Sequence, residues 1–191
     1  MAARRPRGMV FPMSPRTFLS GLVVALVATA SCPRIIAGTA PESPAAVATT
    51  FCRTVRAERI EGLPSKAAMA KIRPLVTKEL ADGIERARAE QADFQRRHPD
   101  EKPPWIEGDL FSSSFEGVTS WSLGTPVVKE KSAEVPLHHV CADGKDTVRW
   151  TDTLVLTRTA EGWRVADVRY GGTWTFQAGT ASLARSLPSA P

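Results

Sequence analysis

Asp152 and His139 have the residue types and the placement to move a proton. Asp152 shares its strand parity with Val148, Trp150, Leu154 and Leu156, so a two-residue period turns a carboxylate toward the apolar face. A buried charge is costly unless it is paired, hydrogen-bonded or facing a wet cavity. His139 occupies the matching face of the preceding strand, within reach across a hairpin. With Tyr170 or Asp167 nearby as a proton donor or orienting group, such a pair can abstract a proton beside a carbonyl once its pKa values are tuned. The competing reading has Asp152 accepting hydrogen bonds from Trp150, threonine or backbone groups, with His139 as a satisfied core residue. The composition of the site favours that second reading.

A further polar cluster, Asp109 with Ser112, Ser113 and Ser114, lies in the connector between the helical and the strand-rich parts. A loop carboxylate there can contact a ligand; equally, Asp and Ser can bond the nearby backbone as a turn or cap. Trp150 joins Asp109 and Asp167 as a candidate ligand-binding residue. Trp105, Phe111 and Trp174 are candidates for closing a pocket or for filling a core. No Walker loop, HExxH, nucleophile elbow or dinucleotide fingerprint is present, and no cofactor or metal is implied.

The elements that would carry these residues follow from periodicity. Ser43-Pro44, Ser65 and Thr77 are helix starts. Val47, Ala48, Phe51, Cys52 and Val55 make the apolar stripe of the first helix, Met69 and Ile72 belong to a short second one, and Leu80, Ile84, Ala87, Gln91 and Phe94 mark a third. From Val118 the period changes to two. Trp121 and Leu123, Val127 and Val128, Val135 to Cys141, Val148 to Leu156 and Trp163 to Tyr170 read as strands, with a turn at Asp143-Gly144. Trp163 and Val165 have one parity, Val168 and Tyr170 the other. A bulge near Ala166-Asp167 reconciles them. The fold class expected is α+β, N-terminal helices packed on a curved antiparallel sheet.

Charge and targeting narrow the setting. The net charge of +5 comes from 25 basic and 20 acidic residues, but the first 31 residues hold four of the arginines and no acid, leaving 21 against 20. So even a balance lacks the cationic face that nucleic-acid binding needs. Arg16 followed by the apolar run Phe18 to Ala30 and small residues has the three parts of a secretory signal. Ala28-Thr29-Ala30-Ser31-Cys32 fits an ordinary cleavage site and also a bacterial lipobox, in which Cys32 would be acylated, with Thr29 where a lipobox has Leu. The organisation expected is signal peptide 1–31, tether 32–43, domain 44–185 and loose tail 186–191. The remaining cysteines, Cys52 and Cys141, allow one disulfide or two free thiols.

Three segments carry a family resemblance: Glu107-Gly108-Asp109-Leu110-Phe111-Ser112-Ser113, Asp146 to Leu156 with Trp150-Thr151-Asp152, and Gly162 to Tyr170. Together with the order of helices before a meandering sheet, they resemble the nuclear-transport-factor-2-like superfamily, and within it a bacterial extracytoplasmic family of unknown function. The resemblance implies a cone-shaped α+β fold over residues 45 to 185. It also implies a homodimer through the open sheet face, where Arg149, Thr151, Thr153 and Thr157 lie; the same residues read as a solvated face. The superfamily includes enzymes as well as binding modules, so fold alone assigns no chemistry. The function expected is an exported, lipid-anchored or periplasmic module of the envelope that binds a partner protein or a small apolar ligand. The alternative is a cofactor-independent isomerase, dehydratase or hydrolase built on Asp152, His139 and Tyr170.

Overall fold

Each helix begins where a side chain can satisfy its first free N–H groups. In the computed structural model, which describes residues 43–115, 117–174 and 180–189, α1 spans Pro44–Glu58 and Ser43 accepts from Ala46 N. Helix α2, Lys66–Ile72, is capped by Ser65, and α3, Lys78–Arg97, by Thr77, which accepts from Leu80 N. A single 3-10 turn, Arg73–Leu75, joins α2 to the Val76-Thr77 link before α3. The signal segment, the lipobox and Cys32 lie outside the described residues.

The strand-rich half forms one open antiparallel sheet of five strands. They are β1 Ser120–Leu123, β2 Val127–Val128, β3 Ser132–Asp143, β4 Asp146–Thr159 and β5 Gly162–Arg169. The order is β1-β3-β4-β5, with β2 also paired to β3. Asp143 pairs with Asp146, which leaves Gly144-Lys145 as a two-residue turn with Gly144 at φ 56°. Leu156 pairs with Val165 and Val155 with Asp167, so Ala166 is the extra residue of a bulge. That shift lets Trp163, Val165 and Val168 all face the core although their parities differ.

One apolar cluster lies between the helices and the sheet. Phe51 of α1, Met69 and Ile72 of α2 and Ile84 of α3 meet Val135, Leu154, Leu156 and Val165 of the strands. Burying a Leu or Ile completely contributes about 2–3 kcal/mol. The opposite side of the sheet exposes Arg149 and Thr151.

Part of the tail expected to be loose is anchored instead. A short helix, α4, spans Leu183–Ser186, and Leu183, Ser186 and Leu187 are buried. Arg86 Nε donates to Pro188 O at 2.9 Å, which fastens the tail to α3. The two cysteines of the domain are free thiols in the structure. Cys52 is buried in the core, and burial followed by the charge of Asp109 pushes its thiol up to about 12. Cys141 is half-buried on β3, beside Val148 of β4.

Candidate functional site

Strand phase turns Asp152 inward, and the structure closes the protein over it: its exposure is 0%. Its oxygens accept from Ser113 N at 3.0 Å, Gly171 N at 2.9 Å, Trp150 Nε1 at 3.3 Å and, at short range, the Ser113 hydroxyl. Burial pushes this carboxyl upward. The adjacent His139 imidazole and donation by the Gly171 N–H and the Ser113 hydroxyl and N–H more than offset that, so its pKa lies below the ordinary 3.8. The ionised form is the one the site is built to hold.

His139, 5% exposed, stacks on Trp150 with ring centroids 5.1 Å apart. The register pairs His139 with Trp150 and Leu137 with Asp152, placing the imidazole diagonally opposite the carboxylate. His139 Nε2 lies 3.1 Å from Asp152 Oδ2, an ion-pair distance. The ring N–H does not point along that line closely enough to make a hydrogen bond. The contact is therefore electrostatic rather than directional. His138 faces the other way, exposed, with Nδ1 2.9 Å from Thr151 Oγ1.

Tyr170 reaches the same interior, but its hydroxyl donates to Leu110 O at 2.9 Å. Burial, then the charges of Asp152, Asp109 and Asp167, push the phenol well above its usual value, so it keeps its proton. Asp109 lies on the connector and caps it, accepting from Phe111 N at 2.8 Å. Its carboxyl is pushed above the usual range, chiefly by burial, with Phe111 N–H donation opposing and the charge of Asp152 adding to the rise.

Asp167 stands apart from this group. It accepts from Val168 N and from Ala184 N, both at 2.8 Å, and so ties β5 to α4. The role of orienting group beside Asp152, expected from its place near Tyr170, belongs instead to Ser113 and Gly171.

The sequence placed Ser113 in a polar cluster of the connector but did not link it, or Gly171, to Asp152. Ser113 Oγ also accepts from Gly172 N at 2.6 Å, and Ser113 O accepts from Trp174 N at 3.2 Å. The loop after β5 lies so close that a β-carbon at residue 171 would run into Thr151 O, and one at residue 172 into Ser113 O. Glycine is required at both for that approach. The Gly-Gly pair was a visible signal, but it carries no indication of which backbone it touches.

Three spaces adjoin the group: a small one, an outer groove, and a surface pocket of about 380 Å³ lined by Trp121, His138, His139, Trp150 and Thr151. Inside, Asp109 and His139 line a cavity of about 20 Å³ with Phe51, Cys52, Phe111 and Val118. Outside, a groove of about 550 Å³ runs between the C-terminal end of α1 and the connector. Arg56, Arg59 and Glu107 line it together with Ile106 and Phe115, which are 47% and 51% exposed. Phe115 packs edge-on against Trp174 at 5.9 Å. Among the described residues no group of three His, Cys, Asp or Glu side chains could hold a metal ion, and no helix is long and apolar enough to cross a membrane.

An open five-stranded antiparallel sheet with helices on one face and a closed polar node define an α+β protein. Compared with family models, curated proteins and solved structures, the chain matches none.

Proposed function

We propose that the chain is an exported binding or interaction module of the bacterial envelope, tethered through Cys32, with a nuclear-transport-factor-2-like domain presenting its surface to a partner. One observation carries this reading: Asp152 and Tyr170 are held inside by hydrogen bonds, while spaces of ligand size lie at the surface, in the outer groove and in the pocket beside His139 and Trp150. Asp152 has no exposure, and the cavity lined by His139 and Asp109 is about 20 Å³, against roughly 300–1,000 Å³ for small-molecule sites. The groove of about 550 Å³ falls in that range and offers apolar and charged groups together.

A cofactor-independent enzyme would need Asp152 or His139 to reach a substrate. Their closeness is in its favour, and their burial weighs against it. His139→Ala that abolishes an activity without lowering the melting temperature would replace the binding reading with the catalytic one.

The test of the proposal is site-specific photocrosslinking from position 106 or 115 of the full-length chain in its native envelope. A single discrete adduct, absent when the crosslinker stands at exposed Arg53 on α1, is the expected result. The same adducts from all three positions would contradict it. Metabolic labelling with a fatty-acid analogue addresses the tether: label on the wild type and none on Cys32→Ser is expected, and an unlabelled wild type removes the anchor.

A further inference from the structure

His139 is nine-tenths buried, yet its Nδ1 has no hydrogen-bond partner among the described residues. Leaving a buried polar atom unsatisfied costs about 1–3 kcal/mol, so native proteins seldom tolerate it. The ring lines the small interior cavity, and the Asp109 side chain lines the same space from the connector. The rest of the wall is mainly apolar, from Phe51, Phe111 and Val118; Arg56 also lines it, its guanidinium donating to Val118 O and Thr119 O.

Size decides what can fill such a space. A cavity must offer roughly 10–15 Å³ to hold one water, and the water needs two to four polar partners. About 20 Å³ is enough for one water. His139 and Asp109 supply two partners.

We infer that this cavity is a binding site for a single buried water, which bridges His139 Nδ1 and the Asp109 carboxyl. Nε2 lies on the side of Asp152, and Nδ1 is the ring nitrogen left to meet the water. The water hydrogen-bonds to that nitrogen and to the Asp109 carboxyl. The result is a continuous polar path from Asp109 through water and His139 to Asp152, joining the connector to β3 and β4. It accounts for the Asp109 side chain lining an otherwise mainly apolar space, and it does not depend on the envelope reading.

The direct test is water-to-protein Overhauser spectroscopy on the isotope-labelled full-length chain. The His139 ring protons should show a cross-peak to water with the sign of a long-lived contact. Assigned ring resonances without that peak overturn the inference. In Asp109→Leu the bridge loses a partner, and the cross-peak should vanish while most amide resonances stay in place; persistence would show that Asp109 is not a ligand. Should that variant fail to fold, a high-resolution crystal structure of the wild type decides. Density refining as one oxygen at hydrogen-bonding distance from both residues supports the site, and an empty cavity or a metal ion there overturns it.

Discussion

Two carboxylates act on His139, one from a strand and one from the connector, and they are held by different means. Asp152 accepts from two backbone N–H groups, a hydroxyl and an indole, and its pKa falls despite full burial. Asp109 accepts one short-range backbone bond from Phe111, and burial raises it. Burial alone therefore does not mark a reactive acid. The count of donors decides whether a buried carboxylate is a stable anion or a strained one.

The largest break in this comparison is Asp152→Ala. It strands the Ser113 N–H and hydroxyl and the Gly171 N–H without an acceptor, and should cost about 3–5 kcal/mol in urea unfolding. Ser113→Ala removes one donor to Asp152 and the acceptor of Gly172 N, and a loss of about 1–3 kcal/mol is expected. Tyr170→Phe deletes only the bond to Leu110 O. Calorimetry should register about 1 kcal/mol for that change, with no effect on the near-ultraviolet signature of Trp150.

Acid titration sharpens the contrast because the two groups have opposite signs. Asp152 has a folded pKa below the 3.8 of a free carboxyl, so its contribution is present above that value and is lost as pH falls through the folded pKa. Asp109 has a raised pKa, so its charged form penalises the fold at neutral pH, and the penalty lifts on acidification. Stability measured from pH 7 downward should fall less steeply below 3.8 in Asp152→Asn than in the wild type. Parallel profiles would separate Asp152 from acid stability.

Much of this was legible in the residues themselves. The alternation from Trp150 to Leu156 turned Asp152 inward, although Val148, near the hairpin end of β4, is 61% exposed rather than on the apolar face, and the parity change between Val165 and Val168 called for the bulge found at Ala166. Ser43, Ser65 and Thr77 marked helix starts by a mechanism that acts within four residues. The donors to Asp152 were not legible, because Ser113 lies 39 positions earlier in a connector with no period. Pairing between a loop and a strand is fixed by the packing of Leu110 and Phe111, which no local pattern encodes. Helix α4 escaped for a related reason: four residues are too few to show periodicity, and Leu183 and Leu187 are ordered by the core they enter.

Side-by-side urea unfolding of Asp152→Asn and Asp109→Asn at pH 7 tests the contrast most directly. Each exchange keeps the shape and removes the charge. The first should lower stability by about 2–4 kcal/mol with an unchanged denaturant slope, while the second should leave the midpoint level or raise it. Equal losses in both, or no loss in Asp152→Asn, would contradict the assignment of Asp152 as the anion on which the fold is built.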